Sequence, residues 1–137
     1  TAELLVRALA RLGVDAHVGE VPGEYCPGRW SVNARGAVKL TGTGQRVVGG
    51  GAHVGTVIVV DAAADVRAVL DPVYAALDLD WDPATVGAVT GEVAGVTWEA
   101  VRDAVLDAYA ERFDLVEGEL EPETLARART LAAEHRA

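Results

Sequence analysis

Three strand-forming runs, Trp30 to Ala34, Val38 to Val48 and His53 to Val60, fill the middle of this chain, separated only by Arg35-Gly36 and by Gly49-Gly50-Gly51. Short glycine breaks between runs rich in β-branched residues read as successive hairpins, so the centre is predicted to be an antiparallel sheet. The flanks have a helical period. Leu4, Leu5, Ala8, Leu9 and Leu12 recur at three- and four-residue steps with Glu3, Arg7 and Arg11 on the other side, which predicts a helix over 2–12 that Gly13 stops. A short strand is predicted from Ala16 to Val21, followed by a loop containing Pro22, Gly23, Pro27 and Gly28 that carries Cys26.

After the sheet, Asp61 is expected to cap a helix whose buried face is Val66, Val69, Leu70, Val73, Tyr74 and Leu77, and Asp80 to Pro83 break the chain. A glycine-rich, valine-containing stretch runs from Ala84 to Val96. Thr97 is then the expected cap of a helix reaching about Phe113, with Trp98, Val101, Val105, Leu106, Tyr109 and Phe113 as its apolar stripe. A last helix should begin near Glu121-Pro122-Glu123, with a thin apolar face of Leu125, Ala128, Leu131 and Ala132. This order of elements predicts an α+β fold with a mostly antiparallel sheet packed with helices.

With 137 residues, half of them hydrophobic, the chain can build the core of one domain. Most of that apolar content is Ala and Val, so packing should rest on small side chains. No run of about 18 apolar residues and no cleavable leader pattern is present, which argues against membrane insertion or secretion and for a cytoplasmic protein. The single Cys excludes an internal disulfide framework and, with three scattered His, argues against a metal site. The chain opens inside a helix without an initiator Met, as part of something longer would.

Acidity is unevenly placed. The net charge is −9, yet Tyr25 to Val60 contains no acid and carries Arg29, Arg35, Lys39 and Arg46, a local charge of +4. Such a segment attracts a phosphate, a carboxylate or an acidic protein surface, while the whole chain repels nucleic acid. Strands are poor in Asp and Glu on general grounds, which accounts for the same pattern without a ligand.

Lys39 is the only lysine and Cys26 the only cysteine, thirteen residues apart in this segment. An ammonium is a compact point charge with three rotatable donors, whereas guanidinium is a planar fork, and all eleven other basic residues are Arg. Drift from lysine to arginine would also leave one survivor. A thiolate is the strongly nucleophilic form of cysteine, and a nearby cation favours it. Nucleotide motifs fail by contrast: Gly42-Thr43-Gly44 is followed by Gln45 and Arg46, not by a third glycine and a helix, and no Gly-Lys-Ser/Thr occurs. Gly49 to Gly51 reads as a hairpin turn before a phosphate loop, and His53 as a packed or solvent-facing strand residue. No nucleophile-elbow pattern is present.

The string GEYCPGRWSVNARGAVKLTGTGQRVVGGGAHVGTVIVV resembles the lipoate protein ligase and octanoyltransferase family of the biotin/lipoate ligase superfamily. The resemblance rests on Gly36, Lys39, Gly42, Thr43 and Gln45 around the lysine strand, on His53-Val54-Gly55-Thr56, and on Tyr25-Cys26-Pro27-Gly28, which is similar to the form seen in lipoyl amidotransferases. It covers residues 1–115 as the C-terminal half of a catalytic domain, with 116–137 as a helical extension. The first half of such a domain, with its Gly-Gly-Gly lipoyl-binding loop, is absent, and the Gly36 to Lys39 spacing is longer than usual.

The resemblance implies an acyltransferase in which Cys26 and Lys39 are catalytic: Cys26 carries octanoyl or lipoyl as a thioester and passes it to a lysine of a lipoyl-domain or H-protein acceptor. Lys39 would bind the acyl carbonyl and lower the pKa of Cys26. Gly42, Thr43, Gln45, Arg46 and His53 are the substrate-binding candidates, with Arg29 a weaker one for a phosphate group. The implied partners are an acyl donor protein, the acceptor and a separate N-terminal half; no cofactor is needed. Two alternatives stay open: an ATP-dependent ligase in which Lys39 holds the acyl adenylate, and a non-catalytic half that completes a partner chain.

Overall fold

A computed structural model describes residues 1–135. In chain order the elements are α1 (Ala2–Arg11), β1 (Ala16–Val18), β2 (Val32–Ala34), β3 (Val38–Val48), β4 (Gly51–Ile58), α2 (Ala63–Ala76), a 3-10 turn (Pro83–Thr85), α3 (Val89–Glu92), α4 (Trp98–Ala110) and α5 (Pro122–Ala132), with a second 3-10 turn at Ala133–His135. The four strands form one sheet in the order β1-β2-β3-β4, every neighbouring pair antiparallel. This is the predicted α+β architecture. Among the described residues no helix is long and apolar enough to cross a membrane.

The β3–β4 hairpin matches its prediction most closely. Val48 pairs with Gly51 around Gly49 and Gly50, whose φ values of 57° and 83° give a two-residue turn with both central residues left-handed. Glycine enters that region without steric cost, and such a turn matches the twist of the strands it joins. Between β2 and β3 the register slips: Asn33 pairs with Lys39 but Val32 with Thr41, so Leu40 is the extra residue of a bulge. Residues 39–41 are consequently buried in succession instead of alternating.

The core lies between the sheet and α1. Leu5 and Leu9 pack with Val32, Ala34, Leu40, Val89 and Val101. Gly13, at φ 93°, ends α1 as expected, its N–H donating to Ala10 O at 3.0 Å while Val14 N–H reaches Leu9 O at 3.1 Å. A second cluster of Ala8, Ala104 and Ala108 joins α1 to α4.

Two helices bury only part of the face predicted for them. α4 buries Val101, as expected, with Ala104 and Ala108, half-buries Val105 and Tyr109, and leaves Trp98 and Leu106 exposed, as is Phe113 beyond its end, because alanines permit the close approach to α1 that large side chains would block. Its expected cap is present: Thr97 Oγ1 accepts from Ala100 N–H at 3.3 Å. α2 fully buries nothing; Val66, Leu70 and Tyr74 are half-buried, whereas Val69, Val73 and Leu77 face solvent. Asp61 does not cap it. The N-cap is Ala62 in a left-handed conformation, and the Asp61 carboxylate instead accepts from Ala62 N–H at 2.7 Å and Thr90 Oγ1 at 3.0 Å.

The stretch after Pro83 contributes to the core as well. Val86 makes a parallel bridge to Lys39, Gly87 N–H donates to Lys39 O at 3.0 Å, and Val89 is fully buried. α5, by contrast, buries none of its residues.

Candidate active site

Lys39 enters the core from the bulged end of β3 and is only 1% exposed. A buried ammonium needs partners for all its donors. Nζ donates to Glu24 Oε1 at 3.0 Å, to Tyr25 O at 2.8 Å and to Cys26 O at 2.7 Å, and lies 4.6 Å from the centre of the Tyr25 ring. Three donors therefore meet three acceptors. The cation is balanced by a carboxylate at contact distance, so its field beyond the pair is that of a dipole and not of a lone charge.

Cys26 sits on the loop between β1 and β2 with its side chain exposed and its backbone at φ 42°, a region few non-glycine residues occupy. The loop is held from several sides. Cys26 N–H donates to Tyr74 Oη at 2.7 Å, and Trp81 stacks 5.1 Å from Tyr74 and meets Tyr25 edge-on at 6.4 Å. Asp82 N–H donates to Gly23 O at 2.8 Å; Gly23, at φ 81°, lets the chains approach so closely that a Cβ there would lie 3.1 Å from Asp82 Cβ. Burial is the main reason the Tyr25 phenol pKa is raised, with the negative charge of Glu24 adding to it.

Cys26 and Lys39 line one groove of about 420 Å³, walled by apolar side chains that include Val59, Val66 and Leu70. Gly42 and Thr43 reach the same groove. Thr43 Oγ1 is paired across the hairpin with Thr56 Oγ1 at 3.1 Å. The other substrate-binding candidates are elsewhere. Gln45 faces a separate hollow with Trp30 and Val54, while Arg46 and His53 are cross-strand partners beside Val48 and Gly51 near the hairpin turn. Arg29 lies over the Trp30 ring at 4.8 Å.

Half of the +4 of the acid-free segment is thus paired on folding. Glu24 neutralises Lys39, and Arg35 forms a two-pronged ion pair with Glu92 at 2.7 and 2.8 Å, so that among the described residues Arg29 and Arg46 are the cations of that segment without an ion pair. The Arg35 hydrogen bond holds the Glu92 carboxyl below the usual carboxylate range. A depressed carboxyl pKa stabilises the fold above the unfolded value, near about 4.3, and that stabilisation disappears as pH falls through the folded value. Glu92→Gln is therefore expected to lower stability at pH 7 but not at acid pH, as urea unfolding at both pH values would show. The effect should be small because Arg35 is solvent-exposed.

Sequence reasoning missed Glu24, Tyr74 and Trp81. Glu24 had a usable signal: a lysine inside an apolar strand needs a carboxylate partner, and Glu24 is the first acid outside the acid-free run.

No protein-family model matches the chain, and no curated protein matches it. Solved structures do. Protein Ta0514 from T. acidophilum, a candidate lipoate protein ligase solved with bound lipoic acid, superposes with a TM-score of 0.71 at 24% identity over 96% of this chain and 51% of its own. Lipoate-protein ligase A bound with ATP gives a TM-score of 0.71 at 20% identity over 97% of this chain and 52% of its own. The chain spans about half the length of these structures and has the fold of a partial lipoate-protein-ligase-like domain.

Proposed function

We propose that this chain is the C-terminal half of a catalytic domain that attaches lipoyl or octanoyl groups, and that it carries the acyl group on Cys26. The observation that carries this reading is the sharing of one apolar-walled groove by the only thiol and the only amine side chain. In the first step the Cys26 thiolate attacks the carbonyl of a donor thioester; the new C–S bond forms as the old one breaks, and the departing thiolate takes up the proton that Cys26 released. In the second, the ε-amine of a lysine on a lipoyl-domain or H-protein acceptor attacks the Cys26 thioester. An amide forms, Cys26 leaves as thiolate, and the amine proton passes to solvent or to that thiolate.

Lys39 stabilises the negative charge that develops on the acyl oxygen in both steps. One such donor contributes about 2.7 to 4 kcal/mol in comparable sites. Because its three N–H groups are already bonded, the acyl oxygen binds by exchange. The Tyr25 or Cys26 carbonyl is the one displaced, since only the contact with Glu24 joins two opposite charges in the interior, where separating them is costly.

A second reading is favoured by the resemblance to a ligase solved with ATP: Lys39 would hold an acyl adenylate and Cys26 would only pack. Intact-mass analysis after incubation with an octanoyl thioester, with and without ATP and a lipoyl-domain acceptor, separates the two. The expected result is a hydroxylamine-labile octanoyl adduct without ATP, absent in Cys26→Ala. Transfer that strictly requires ATP and leaves Cys26 unmodified would replace this reading with the ligase. If transfer needs an added polypeptide that supplies the other half of the domain and Cys26 stays unmodified throughout, the third alternative, a non-catalytic half that completes a partner chain, is supported.

A further inference from the structure

Glu24 is the buried titratable group at this site to which the acyl-transfer reading gives no task. Its side chain is fully enclosed. Oε1 lies 3.0 Å from Lys39 Nζ and accepts from Ser31 Oγ at 2.6 Å and Gly28 N–H at 3.3 Å, while Oε2 accepts from Val21 N–H at 2.9 Å. Val21 precedes Cys26 in the loop, and Gly28 and Ser31 follow it. One carboxylate thus closes the base of the cysteine loop and fastens it to β3 through Lys39, and the crest of the same loop returns two carbonyls to that ammonium.

Stability alone does not call for this arrangement. Burying an ion pair costs desolvation that apolar residues of similar volume avoid, and such pairs are often no more stabilising than their apolar replacements. A reactive site has a different requirement, because its groups must be held within a fraction of an ångström by neighbours that are themselves fixed. We propose that Glu24 is the positioning residue of this site, setting the place of the Lys39 ammonium relative to the Cys26 loop. The proposal rests on the roles given to Cys26 and Lys39 above.

The test uses the chain's single lysine. Labelling with ε-¹⁵N-lysine yields one ammonium resonance, which can be compared among wild type, Glu24→Gln and Glu24→Asp alongside thermal melting and the rate of Cys26 acylation by an octanoyl thioester. Loss of a hydrogen bond to a charged group should speed solvent exchange at Lys39 Nζ by about tenfold or more in Glu24→Gln. Misplacement of the reacting groups should slow acylation about 100-fold, in kcat with little change in KM. Glu24→Asp keeps the charge but shortens the reach, so it should fall between the two; if Glu24→Gln does not fold, the Asp variant carries the test.

An unchanged Lys39 resonance in a folded variant overturns the positioning role, as does a shifted resonance with wild-type acylation. If the wild-type chain, with or without an added complementary half, takes up no acyl group, the acyl-transfer reading fails by itself. The Lys39 resonance and the alkylation rate of Cys26 by iodoacetamide then decide about Glu24: both altered in the variant uphold it, and either unchanged overturns it.

Discussion

Replacing Lys39 with Met is expected to destabilise the fold by about 3–5 kcal/mol, the usual cost of leaving one member of a buried ion pair without its partner. Methionine fills much the same volume, so the effect separates the ammonium's charge and hydrogen bonds from side-chain packing. It removes the counter-ion of an enclosed carboxylate and leaves the carbonyls of Tyr25 and Cys26 without their donor. For a domain of this size the melting temperature should fall by roughly 10–17 °C. The double variant Lys39→Met/Glu24→Gln should recover part of the loss, because a neutral amide can still bond to the Ser31 hydroxyl without an unpaired charge in the core. Urea unfolding of the two single variants and the double variant measures this directly. A Lys39→Met cost below about 1 kcal/mol, typical of exposed pairs, would show that Glu24 and Lys39 do not form a buried pair in solution.

Gly87→Ala should cost about 1–3 kcal/mol through overpacking. A Cβ at Gly87 would lie 2.6 Å from Val38 Cγ2 and 2.8 Å from Val38 Cβ, and 3.1 Å from a Leu40 methyl. Val38 cannot swing aside cheaply: it is β-branched, stiff about its first side-chain torsion and fixed in β3 beside Lys39. The two chains must therefore separate, which lengthens the Gly87 N–H to Lys39 O bond and shifts the backbone that aims the ammonium. Alongside the drop in unfolding midpoint, this variant should exchange the backbone amide of residue 87, the donor of that bond, faster in hydrogen-exchange measurements. Gly91, whose Cβ would meet nothing within 4 Å, is the control.

The parts of the fold that local chemistry dictates were the parts readable in the sequence. The end of α1 at Gly13, the span of β3 from Val38 to Val48 and the turn at Gly49-Gly50 follow from residue types that permit few backbone alternatives. Which face of a helix is buried depends on what lies opposite, and there the pattern misled. Along α4 the large Trp98 and Leu106 predict a buried stripe, but the proximity of α1 selects Ala104 and Ala108. In α2 the helical spacing predicts one buried face that includes Val69, Val73 and Leu77, whereas only its row of Val66, Leu70 and Tyr74 is half-buried.

The candidate site divides the same way. Cys26 and Lys39 stood out as the sole residues of their kinds, and Gly42 and Thr43 lie within reach of Lys39 along one strand. Gln45, Arg46 and His53 continue along the same hairpin, but each residue of an extended strand advances about 3.3 Å, so the later ones are carried away from the groove. Tyr74 and Trp81 come from segments about 50 residues beyond the cysteine loop, a distance no local pattern bridges. The bulge at Leu40 was equally invisible, since it shows only in how two strands pair.

An enzyme that hands acyl groups to lysines risks modifying itself. Under the proposed transfer this chain offers no accessible side-chain amine to its own thioester, because its one lysine is locked in the interior with every proton committed and arginine serves at all its other basic positions. Guanidinium stays protonated at any physiological pH and is inert as an acyl acceptor. A lysine-poor surface would therefore keep the activated group for the intended recipient, and introducing a lysine beside the groove would turn the protein into its own substrate.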